Sequence, residues 1–137
     1  INPSIDRGQI EGGFVQGAGW LTTEELVWSA SGELKTHSPS TYKIPTFRDQ
    51  PIKFNVNFFD SGGNSKPTIY RSKAIGEPPL MLAISVLMAI SDAMRGFNQA
   101  KKYPALDSPA TPEKILLSLK KMNFKAHDKK STPMSMV

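Results

Sequence analysis

The longest apolar run of the chain, Leu80 to Phe97, follows a Gly76-Glu77-Pro78-Pro79 turn and is apolar almost all round. Proline suits the first turn of a helix, where its missing N–H has no partner to lose. Ser85, Ser91 and Asp92 interrupt the run, which reads as shorter than a bilayer span. A helix without a polar face has to be buried. A chain of 137 residues does not readily cover it, so the pattern predicts a buried helix within a larger body.

The other periodicities are weaker. From Asp6 to Trp20, Gly8, Gly12, Gly13, Gly17 and Gly19 alternate with Ile10, Phe14, Val15 and Trp20. Each glycine costs a helix about 1 kcal/mol against alanine. The spacing leaves one side nearly bare, where a backbone or ligand can approach. A helix held by packing is expected here, with Asp6 as its N-cap. Glu25-Leu26-Val27-Trp28 and Glu33-Leu34-Lys35-Thr36 flank Ser31-Gly32 and predict a hairpin. The proline-bearing stretch His37 to Pro51 reads as loop. Phe54, Val56 and Phe58 alternate with asparagines and predict a half-buried strand. Ser61-Gly62-Gly63-Asn64 predicts a turn, and Thr68-Ile69-Tyr70-Arg71 a second, antiparallel strand. Leu106 to Met122 predicts loop and then helix, opened by Thr111-Pro112-Glu113. The expected fold class is α+β, a small antiparallel sheet with about three helices, as part of a larger domain. Residues 1–124 form that portion, and 125–137 a disordered basic tail.

Composition narrows the chemistry. With no cysteine, the chain holds no disulfide and no thiolate-bound metal or iron–sulfur cluster. That fits a cytoplasmic protein. The chain begins at Ile1 with neither an initiator Met nor a charged-then-apolar leader; the missing Met predicts a fragment or processed chain, so the missing leader says little about the parent protein. The net charge of +5 raises the question of a nucleic-acid partner. Much of the excess lies in lysines from Lys101 onward, and no RNA-binding aromatic motif or zinc-finger spacing accompanies them. Neither nucleic acid nor membrane is an expected partner. A small basic interaction domain without catalysis remains the alternative from another functional class.

Glu77 is the leading candidate for chemistry. It stands between Gly76 and Pro78 at the mouth of the apolar helix. A carboxylate there is either a structural anion at a helix terminus or a positioned base. Gln9 lies among small neighbours, and its amide both donates and accepts, which suits a ligand edge as well as it suits packing. Gln16, seven residues on, lies near the same face. Lys73 is close enough in sequence to pair with Glu77 or to hold a substrate group. His37 and His127 have no metal spacing, and neither Ser38 nor Ser40 is marked as a nucleophile. Gly17-Ala18-Gly19 lacks the Lys-Ser/Thr ending of a phosphate loop.

Four ordered motifs then coincide with one family. Gly8-Gln9-Ile10-Glu11-Gly12-Gly13-Phe14-Val15-Gln16-Gly17 resembles the cofactor-contacting helix of the xanthine dehydrogenase/aldehyde oxidase family, the molybdenum hydroxylases. Thr23-Glu24-Glu25-Leu26, Thr41-Tyr42-Lys43-Ile44-Pro45 and Ser72-Lys73-Ala74-Ile75-Gly76-Glu77-Pro78-Pro79-Leu80 follow in the family's order. Asp107 to Glu113 resembles the end of bacterial large subunits. The resemblance implies a C-terminal portion of the molybdopterin-binding part. It places Glu77 as general base in hydroxylating an electron-poor purine carbon, taking hypoxanthine and xanthine to urate. An aldehyde oxidase-type activity is the alternative. It also implies that Gln9 contacts the molybdenum–molybdopterin cofactor and that no protein side chain ligates the metal. Iron–sulfur clusters and FAD belong to other domains or subunits, which with the remainder of the molybdopterin domain are the implied partners. The cofactor carries the hard chemistry and the protein positions it.

Overall fold

The computed structural model describes residues 2–59, 62–97 and 102–128, with four α-helices among them. Helix α1 spans Pro3–Thr22. Its N-cap is Asn2, not the expected Asp6. The Asn2 side chain accepts from the N–H groups of Ser4 (3.2 Å) and Ile5 (3.3 Å), and Pro3 takes the first helical position. Asp6 falls inside the first turn, where a negative charge meets the positive end of the helix.

Helices α2 (Glu77–Leu82) and α3 (Ile84–Phe97) are separated at Ala83, whose N–H turns back to the Leu80 carbonyl at 3.2 Å. Together they match the predicted apolar helix. By length and composition alone this stretch could cross a membrane, which corrects the expectation that it is too short. Here α1 packs along it. Ser91 and Met94 are buried on α3, and Arg95 pairs with Asp92 at 2.8 Å. Arg95 holds the Asp92 carboxyl below the usual carboxylate range and lies over the Tyr103 ring, 4.9 Å from its centroid. These contacts tie α3 to the connection that leads into α4.

Helix α4 spans Pro112–Asp128, so it passes the expected 124/125 boundary; residues 129–137 lie outside the described ones. The connection before it docks on the end of α1. The Ala110 N–H donates to the Leu21 carbonyl at 2.7 Å, and Lys114 pairs with Glu25 at 2.9 Å. Thr111 caps the helix through its hydroxyl, which accepts from the Lys114 N–H at 3.3 Å. Thr111→Ala should cost about 1 kcal/mol of local stability. Amide exchange in the first turn of α4, measured in the complete protein, should quicken about fivefold; unchanged exchange would remove the cap from the account.

The predicted sheet is absent from the described residues, so the α+β expectation is overturned: helices and irregular segments make up the described residues. The hairpin reaches only a single antiparallel bridge, Trp28 to Leu34. Leu26, Val27 and Trp28 are all exposed, and a two-stranded ribbon is marginal unless one face is buried. Residues 54–59 form no strand, and their partner is a helix. Phe54 meets Phe14 of α1 with ring centroids 5.3 Å apart, and the Arg7 guanidinium donates to the Val56 carbonyl. Residues 69–71 form a tight 3₁₀ turn in place of the second strand. Tyr70 and Arg71 take left-handed backbone angles, φ 49° and 54°. The turn is closed by the Thr68 hydroxyl donating to the Ser72 carbonyl and the Ser72 hydroxyl to the Ile69 carbonyl, each at 2.7 Å. Such side-chain bonds offer the backbone an alternative to a ladder. Of the predicted turn at 61–64, Gly62 and Gly63 both have positive φ, while Ser61 lies outside the described residues.

The core is thin. Among the described residues no large side chain is fully buried, and the buried apolar ones are Pro79, Ala83, Met94 and Ala110. Phe47, Ile52, Phe59 and Ile69 are each at least four-fifths exposed. Apolar side chains of this size, left in water over so much of a chain, mark surfaces that associate.

Candidate active site

The glycines of α1 divide into two sets. A Cβ on Gly13 would lie 2.8 Å from the Gly76 carbonyl oxygen and 3.2 Å from Pro79 Cβ. One on Gly17 would lie 2.7 Å from Ala83 Cβ and closer still to the Leu80 carbonyl. These two glycines let α1 settle directly on the backbone of α2. Gly8 and Gly12 meet nothing within 4 Å. The bare side read from the sequence therefore serves two purposes, with one part packed and the other open.

The open part is one wall of a cleft of about 470 Å³. Gln9, Gly12 and Gln16 line it from α1, and Gly76, Glu77 and Leu80 from the start of α2. The structure thus brings together Gln9, Gln16 and Glu77. Glu77 occupies the first position of α2, on a backbone stiffened by Pro78 and Pro79, with its side chain exposed. The Gln9 amide leans over the Gly76 turn: its Oε1 lies 3.6 Å from where a Gly76 Cβ would stand. A carboxylate able to take a proton and two carboxamides able to donate and accept converge on one volume.

Lys73 is not part of this group. It lines a separate cleft with Asp6, Phe58, Asn64 and Arg71. His37 sits 3.3 Å from the Lys35 carbonyl, and the Ser38 hydroxyl bonds Ser40 and Thr41 at 2.9 and 3.0 Å, an exposed turn without a triad. The His127 side chain is outside the described region. Among the described residues no three His, Asp or Glu side chains come together as metal ligands.

Two of the ordered motifs turn out to be structural partners, which spacing alone could not reveal. Glu24 is buried and accepts a hydrogen bond from the Tyr42 hydroxyl at 2.6 Å, while the Thr23 hydroxyl donates to the Lys43 carbonyl at 2.8 Å. The Glu24 carboxylate, by holding that proton, raises the Tyr42 phenol above its ordinary range. Gly19 admits Glu24 and Pro45, since a Cβ there would lie 2.5 Å from the Pro45 ring. The end of α1 is thereby clamped to the segment that follows it.

The molybdopterin cofactor-binding domain family matches residues 1–51. Xanthine dehydrogenase/oxidase of Mus musculus is 54% identical over 121 residues, 84% of this chain and 9% of that protein. Aldehyde oxidase 1 of Bos taurus is 46% identical over 121 residues, 86% of this chain and 9% of that protein. The crystal structure of quinoline 2-oxidoreductase from Pseudomonas putida 86 superposes with a TM-score of 0.75 at 29% identity, over 88% of this chain and 15% of that one. The chain therefore spans about 9% of the length of the curated relatives it matches. With about half its residues shared over most of its length, this chain belongs to the xanthine dehydrogenase/aldehyde oxidase family, as part of its molybdopterin-binding domain.

Proposed function

We propose that the complete protein is a cytoplasmic molybdenum hydroxylase that oxidises hypoxanthine and xanthine to urate, with Glu77 as general base and Gln9 as a cofactor contact. One observation carries the reading: a single cleft lined by both residues, one from each of two packed helices. The cleft fits the cofactor by shape and donor set. Gly8 and Gly12 leave the helix bare, and two carboxamides flank the bare stretch. Bound there, molybdopterin would supply a metal centre, held by the pterin's own sulfurs, that takes up the two electrons of the oxidation.

The reaction replaces a ring C–H with C–OH, using the oxygen of water and releasing two protons with the two electrons. The Glu77 carboxylate takes one of those protons from the attacking oxygen. The rigid Gly76–Pro79 turn fixes the backbone from which that side chain extends, which limits the freedom lost on reaching the reactive geometry. Gln9 orients the ligand beside it. The remaining electron carriers, iron–sulfur clusters and FAD, belong to other domains or subunits and are not bound by this chain.

The remainder of the molybdopterin domain is the partner that covers the exposed apolar surface of α2 and α3 and completes the cleft. The isolated chain is accordingly expected to form no urate from xanthine. Urate absorbance above background from the purified chain would overturn that. A free-standing basic module does not explain the cleft or the exposed apolar helix. An aldehyde oxidase-type activity does explain them, since the bovine relative shares this region. Comparing kcat/KM for xanthine and for an aromatic aldehyde on the complete enzyme separates the two, and a higher value for the aldehyde would sink the purine assignment.

A further inference from the structure

We propose that Gln16 is a second cofactor contact, pairing its carboxamide with the donor–acceptor edge of the pterin ring; the inference rests on the molybdopterin reading of the cleft. Gln16 lines the same cleft as Gln9 and Glu77. Seven residues of α-helix rotate by nearly two full turns and advance about 10 Å, so the two amides stand in line on one face of α1. Gly12 lies between them with open space where its side chain would be. Gln16 is exposed, and among the described residues its side chain has no hydrogen-bond partner.

The two ends of this face differ. Gln9 stands at the Gly76–Glu77 end, where the proton is taken. Gln16 stands two turns along α1, toward the Leu80 end. An elongated ligand lying over Gly12 would present its reactive end to Glu77 and its far end to Gln16. A carboxamide carries no charge and offers one donor group and one acceptor. Its complement is a ring amide edge rather than a phosphate, which cationic or bidentate donors serve better.

The test uses the complete enzyme, with Gln16→Ala and Gln9→Ala prepared side by side. Pterin bound per enzyme is read from the fluorescence of the released, oxidised pterin, and its rate of loss is followed on dilution. Thermal unfolding of the cofactor-free forms is measured in parallel. Losing the hydrogen bonds of one carboxamide corresponds to pterin release faster by roughly tenfold or more. That result is expected for Gln16→Ala with unfolding of the cofactor-free form unchanged. Wild-type pterin retention in Gln16→Ala, alongside faster loss in Gln9→Ala, would overturn the role of Gln16 and leave the cleft assignment standing. Wild-type retention in both would overturn the two together. Lowered stability of the cofactor-free Gln16→Ala enzyme would make Gln16 a packing residue and likewise overturn the inference.

Discussion

In the complete enzyme, Glu77→Gln should lower kcat by about two to four orders of magnitude, the range a positioned general base supplies. Molybdenum and pterin content should stay at the wild-type level. The substitution keeps the size of the side chain and its carbonyl oxygen but removes the capacity to accept a proton. The setting favours so selective an effect. Glu77 is exposed in the cleft, and among the described residues its carboxylate makes no hydrogen bond or ion pair that a glutamine would break. The fold around it is held by backbone and proline contacts, Gly13 against Gly76 and Pro79. Glu77→Asp should fall between the two, since it retains the base but withdraws it by about one bond length, and misplacement on that scale alone costs up to a hundredfold. Lost cofactor with unchanged turnover per molybdenum would assign Glu77 to cofactor retention and refute the base.

The parts of the chain that were legible in sequence are those whose signals are local. Pro78 and Pro79 announce the start of α2, and Thr111-Pro112-Glu113 the start of α4. The apolar run through Phe97 is helical, as its length and composition require. The parts that were not legible depend on what lies across from them. Period-two alternation at Phe54, Val56 and Phe58 reports an extended backbone with one inward face, but not whether a strand or a helix fills the other side. Here it is α1, through Phe14. Thr68, Ile69 and Tyr70 have strand propensities, yet hydroxyl–carbonyl bonds from Thr68 and Ser72 curl them into a turn. The N-cap was a misreading of an available signal: Asn2-Pro3 is a cap followed by proline at the first helical position, and it outranks Asp6 on that ground. Glu77 could be placed at a helix mouth from residues alone. Its meeting with Gln9 needed the packing of α1 on α2.

That packing gives the second large effect. Gly17→Leu should prevent α1 from settling on α2, and assembled enzyme should be lost or strongly destabilised, by more than about 4 kcal/mol. Even the first carbon of the new side chain lies within 2.7 Å of Ala83 Cβ and closer to the Leu80 carbonyl. Neither obstacle is the end of a flexible side chain, so relief requires moving α2, and with it the Glu77 turn. Gly17→Ala sets this overpacking, about 1–3 kcal/mol, against a gain in helix propensity of about 1 kcal/mol, and a smaller net loss follows. Gly12 supplies the contrast five residues earlier. A Cβ there meets nothing within 4 Å, so Gly12→Leu should leave the thermal unfolding of the cofactor-free enzyme near wild type while excluding pterin from the cleft. Unfolding curves and pterin content of the two leucine variants decide the matter. A Gly17→Leu enzyme that unfolds like wild type would break the account of how α1 carries Glu77. A Gly12→Leu enzyme with full pterin would break the assignment of the open face.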